Sequence, residues 1–108
     1  MSATGTVTGK NGCEAATFNG NETLTVSVQD TARMGAPAIT LGQQEITLKK
    51  GDKFPINYNV QYNEEEASKV PDYGFTLNAR IEDNNGTLLY TNDTRTSARD
   101  NKIEVIKV

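Results

Sequence analysis

Apolar and polar residues alternate along most of this chain with a period of two rather than 3.6. Over residues 54–62 every even position is apolar or aromatic, and every odd one is polar or proline. Only an extended strand places Phe54, Ile56, Tyr58, Val60 and Tyr62 on one face. Pro55 has no amide hydrogen to donate, which predicts an edge strand or a position near a strand start. Leu24, Val26 and Val28 alternate with Thr25 and Ser27 in the same way. So do Phe75, Leu77, Ala79 and Ile81, with Thr76, Asn78, Arg80 and Glu82 turned outward. Further strands are read at residues 5–8, 86–91 and 103–108.

The segments between these runs carry turn chemistry. Asp83-Asn84-Asn85-Gly86 predicts a tight hairpin, because Asn and Gly accept positive φ. The apolar phase is odd at Ile39 and Leu41 and even at Ile46 and Leu48, which predicts a bulge or a turn at Gly42-Gln43-Gln44. Residues 64–69 are read either as a turn or two of helix, capped by Asn63 and stopped by Pro71, or as a solvated crossing loop. Strands recurring about once per dozen residues predict an all-β protein. The expected architecture is a single small antiparallel β-sandwich of about seven strands, with residues 1–108 forming one domain.

Composition narrows the chemistry. The 108 residues carry a net charge of −3, which argues against nucleic-acid binding, since that needs a basic stripe. There is no histidine and only one cysteine, so imidazole-based catalysis and imidazole metal ligation are absent. Cys13 lies beside Glu14, whose charge opposes a reactive thiolate; it is read as a small filler near the end of the first strand or, if exposed, as a thiol open to redox or crosslinking chemistry. Glu82 and Asp83 are sequential and would point to opposite faces of a strand, unlike a hydrolase pair. Asp83, Asn85 and Asp93 lack the ligand density of a calcium loop, so a hairpin is preferred there. Tyr58, Tyr62 and Tyr73 are expected in the core or at its rim. Neither an enzyme activity, a cofactor, a metal nor a small-molecule substrate is expected. No run is apolar and long enough to span a bilayer as a helix. As the chain stands a cytoplasmic location is expected; if a leader has been removed, the location is the cell envelope, the periplasm or outside the cell.

Surface chemistry is therefore the main source of function. Leu89, Ile106 and Val108 are out of phase with Leu88, Tyr90, Ile103 and Val105. If the second group faces the core, the first forms an apolar partner-binding surface, unless the terminal strand is buried on both sides. Arg80 faces outward, and an ion pair with Asp93 or Asp30 is expected to tie strands together. Two roles remain: binding a protein partner, or self-association through exposed strand edges.

Several blocks also carry a likeness. They are Gly5-Thr6-Val7; residues 24–30, Leu-Thr-Val-Ser-Val-Gln-Asp; Gly35-Ala36-Pro37; and Phe54-Pro55-Ile56-Asn57-Tyr58, with Tyr62 closing that strand. The most specific is Ala79-Arg80-Ile81-Glu82-Asp83, followed by Gly86, Leu88-Leu89-Tyr90 and Asp93-Thr94. Together they make the chain resemble the YbaY/YscW-type lipoprotein family, the type III secretion lipoprotein chaperone or pilotin domain. The resemblance implies a small β-sandwich of the bacterial envelope. For the pilotins it implies a non-enzymatic helper that binds an outer-membrane secretin subunit and aids its localisation and assembly.

Overall fold

The computed structural model describes residues 1–32, 35, 37–92 and 96–108. Its strands are β1 (Ser2–Gly9), β2 (Thr23–Asp30), β3 (Ile39–Thr47), β4 (Ile56–Gln61), β5 (Phe75–Glu82), β6 (Leu88–Thr91), β7 (Thr96–Ser97) and β8 (Lys102–Lys107). A helix, α1 (Glu64–Ala67), and a 3-10 turn at Asp72–Gly74 lie between β4 and β5. All eight strands belong to one sheet, in the order β3-β2-β5-β6-β8-β1-β4, with β7 pairing β5 off that path.

The alternating rows become the interior. β2 and β5 pair antiparallel over their full lengths, with Leu24, Val26 and Val28 opposite Ile81, Ala79 and Leu77. All six are at most 2% exposed. Ile103 and Val105 of β8, Val7 of β1 and Val60 of β4 are also fully buried in the same cluster. Phe18 and Leu48, from outside the strands, complete it. Fully burying each large side chain contributes about 1.5–3 kcal/mol, so these rows hold the sheet in its curl.

The all-β class stands, but the expected two-layer, purely antiparallel sandwich is corrected. β8 pairs antiparallel with β6 and parallel with β1, so what would be two sheets are joined through one strand. The sheet curls until its end strands β3 and β4 meet, giving a nearly closed, barrel-like form. At that seam Asn59 N–H donates to Gln44 Oε1 at 2.8 Å. Gly42 sits against Gln61, and a Cβ on Gly42 would run into the Gln61 main-chain carbonyl. The side-chain amide satisfies a strand-edge donor that would otherwise need a main-chain partner or water.

Local features follow the turn chemistry. Val28 opposes Gly42 and Gln29 opposes Thr40, so Leu41 is the extra residue of a β-bulge, one position before the expected slip. In the 83–87 turn, Asp83 N–H donates to Thr87 O at 3.0 Å, Gly86 N–H donates to Asp83 O at 3.0 Å, and Gly86 has φ +84°. Asn63 Oδ1 accepts from Glu66 N–H at 3.1 Å, capping α1, so the helical alternative is the one formed. Tyr73 departs from its expected core place. It lies in the 3-10 turn and is 67% exposed, because the β5 alternation begins only at Phe75.

Tyr58 is 3% exposed, and its hydroxyl has no hydrogen-bond partner among the described residues. Burial, and secondarily the charge of Asp100, push its pKa above the ordinary 10.0. In the unfolded chain the phenol ionises near that ordinary value while the folded one stays neutral. The associated stability is therefore complete below pH about 10 and is lost as pH rises beyond it.

Two outcomes follow. Gly42→Val should destabilise the fold by about 1–3 kcal/mol, through the collision at the seam. In thermal unfolding that is roughly 4–8 °C per kcal/mol for a chain of this size; an unchanged melting temperature would show that β3 and β4 are not in contact. Tyr58→Phe should leave stability at neutral pH equal or slightly higher, and should flatten its decline at alkaline pH. Urea unfolding across that range checks it, and a steeper decline in the variant would contradict the burial argument.

Candidate binding surfaces

The residues expected to form a partner surface lie on two neighbouring strands and at the end of one of them. Thr91 of β6 pairs with Ile106 of β8, and Val108 N–H donates to Leu89 O at 2.9 Å just beyond the ladder. Leu89 and Ile106 are half-buried, and Val108 is 70% exposed. The expected phase holds for Ile103 and Val105, which are buried, and for Tyr90, which packs on the core. It does not hold for Leu88. Ile81 opposes Tyr90 but Glu82 opposes Leu88, so Leu89 is the extra residue of a second bulge. A bulge breaks the alternation that phase counting assumes, and Leu88 takes the register of outward-facing Glu82 rather than of the core.

Arg80 is exposed on β5, with Nε 3.3 Å from Glu82 Oε1. Residues two apart on a strand share a face, so this contact lies along one strand and does not tie two together. Asp93, its expected partner, lies outside the described residues. Asp30, the alternative, is paired with Phe75 at the far end of β5, and its Oδ1 accepts from Ala32 N–H at 3.0 Å. Asp83 serves its hairpin, its Oδ1 accepting from Asn85 and Thr87 N–H, each at 2.9 Å.

Asn92 is a functional part of the sheet that pattern reading missed. Its Oδ1 accepts from Ala79 N–H at 3.0 Å, and its Nδ2 donates to Leu77 O at 3.1 Å. A side-chain amide thus carries the β5 edge from the end of β6 to the start of β7. Since an amide has the same donor and acceptor as a peptide unit, the two rungs cost β5 no unsatisfied groups.

Two clefts were also not foreseen. The larger, about 500 Å³, lies where β4 peels away from β1. Gly9, Phe54 and Pro55 line it, and Lys10, Lys102, Glu14 and Glu104 bring charges of both signs to it. Behind it Phe18, Phe54 and Tyr90 pack edge-to-face, with centroids 5.2–6.0 Å apart. Burial, chiefly, pushes the Tyr90 phenol above its usual range. Cys13 is buried beside this region, its Sγ donating to Lys10 O at 2.9 Å, as expected of a filler and not of an exposed thiol. The smaller cleft, about 330 Å³, is flanked by Tyr62, Phe75 and Arg99. Arg99 lies 5.6 Å from the Phe75 ring centroid and holds Asp72 at 3.0 Å. The only sequence signals for these clefts were Pro55, read as a strand marker, and charges spread over distant segments.

Among the described residues, no group of three or more acidic or cysteine side chains is placed to hold a metal ion. None of their helices is long and apolar enough to cross a membrane. What the surfaces offer is apolar area bordered by charge, which suits binding a polypeptide.

Comparison with known proteins agrees with this. No curated protein matches the chain by sequence. Among solved structures, an alternative pilotin from the type II secretion system of Vibrio cholerae has a similar fold, with a TM-score of 0.79 and 24% sequence identity, over 100% of this chain and 96% of that one. The family model for the type III secretion system lipoprotein chaperone, YscW, matches residues 2–106. Nearly every strand described above falls within that match, and the chain belongs to the YscW family of type III secretion system lipoprotein chaperones.

Proposed function

We propose that residues 1–108 act as one non-enzymatic binding domain that holds a protein partner, in the manner implied by the resemblance to pilotins. The partner is a subunit of an outer-membrane secretion ring, and the task is its delivery and assembly rather than bond-making. Family membership over residues 2–106 supports the role. The observation that carries the location is the meeting of Leu89 on β6 with Ile106 on the adjacent β8 and Val108 just past its end. Ile106 and Val108 alternate with buried Val105, so they are available without disturbing the core. Apolar anchors at the centre of an interface typically dominate its energy.

Binding of a purified secretin subunit, measured by calorimetry or fluorescence anisotropy, tests this reading. The paired variant Ile106→Glu with Val108→Asp should weaken binding at least about tenfold while leaving the far-UV spectrum and melting temperature near those of the parent. Undiminished affinity would remove this surface from the proposal. Loss of affinity in Phe54→Ala or Lys10→Glu alone would place the partner in the larger cleft instead.

A further inference from the structure

The dipeptide Asn-Gly occurs three times, at Asn11-Gly12, Asn19-Gly20 and Asn85-Gly86. All six residues are exposed, so access of solvent does not separate the three. What separates them is the acceptor of the glycine N–H. Gly12 N–H donates to Glu14 Oε1 at 2.7 Å. Gly20 N–H donates to Glu22 Oε1 at 3.0 Å, and the same carboxylate also accepts from Asn19 and Asn21 N–H. Gly86 N–H instead donates to a neutral main-chain carbonyl, that of Asp83, at 3.0 Å. The Asp83 carboxylate is turned to the N–H groups on either side, those of Asn85 and Thr87.

We propose that Asn85 is a site of spontaneous covalent modification, through a succinimide formed with Gly86, and that Glu14 and Glu22 shield the other two asparagines from it. In the reaction the Gly86 amide gives its proton to a solvent base. The nitrogen then attacks Asn85 Cγ; the new N–Cγ bond forms as the Cγ–Nδ2 bond breaks, and the departing Nδ2 group takes a proton back from solvent and leaves as ammonia. Water next opens the ring at either carbonyl, giving an aspartyl or an isoaspartyl residue at position 85. No electrons are gained or lost, and water is the only co-reactant.

The first step places negative charge on the glycine nitrogen. A carboxylate already holding that N–H opposes this, because its hydrogen bond to the N–H is charge-assisted and about twice as strong as a neutral one, and must be given up before the nitrogen can attack. Gly12 and Gly20 are held this way, and Gly86 is held only by a carbonyl. The side chain of residue 85 is also unneeded for the turn, whose contacts use its main-chain N–H and Asp83.

The test is timed incubation of the full chain in mildly alkaline buffer, followed by peptide mapping that separates isoaspartyl from aspartyl products. Asn85 should convert at least about tenfold faster than Asn11 or Asn19. In guanidinium chloride the three rates should converge. Glu14→Gln, which leaves the strands untouched, should accelerate conversion at Asn11 alone. The proposal is overturned if Asn11 or Asn19 converts as fast as Asn85 in the folded chain, if the same order persists in denaturant, or if Glu14→Gln leaves the Asn11 rate unchanged.

Discussion

Ile103 and Val105, both fully buried, sit on a strand that hydrogen-bonds to β6 on one side and to β1 on the other. That double pairing holds the protein together. Without β8, the β4-β1 pair and the β3-β2-β5-β6 group would be separate ribbons, each with an apolar face open to water. With it, both faces turn onto one interior, and burying apolar area drives the curl. Phe18 and Leu48 fill the space that the strands leave, so the loops that carry them are part of the same enclosure.

Much of this is readable from the chain because a strand has a side-chain period of two. The inward rows of β2, β4 and β5 are those that alternation assigns, and each is buried or half-buried. The 83–87 hairpin and the Asn63 cap were legible for a different reason: a few side chains specify them locally. Pairing partners are not local. Nothing in Ile103 or Val105 says that β8 runs parallel to β1, and an antiparallel sandwich satisfies the same alternation. Bulges are similarly silent. One extra residue at Leu41 and one at Leu89 shift the register, and the second moved Leu88 out of the core phase.

The proposed binding surface was legible in the phase of the apolar residues and less so in detail. Leu89, Ile106 and Val108 were identified by being apolar in the wrong phase, and the fold brings them to neighbouring strands and the end of one of them. The clefts depend on residues far apart in sequence, such as Lys10, Phe54 and Lys102, and no local pattern joins these. Asn92 reads as an ordinary loop residue, yet its amide supplies two rungs of the β5 ladder, since hydrogen-bond geometry appears only once the chain has folded. For a member of a chaperone family this division is reasonable. The interior specifies the fold, while the proposed recognition surface uses side chains that lie outside the core.

Gln44 and Gly42 have a bearing on behaviour in crowded solution. A sheet whose two outermost strands stayed apart would offer two lengths of unpaired backbone, each a template for further copies and, in time, for fibrils. Here one of those margins is turned against the other, and an amide side chain occupies the donor at its middle. A molecule built this way offers fewer free strand margins to further copies of itself than an open sheet of the same strands would.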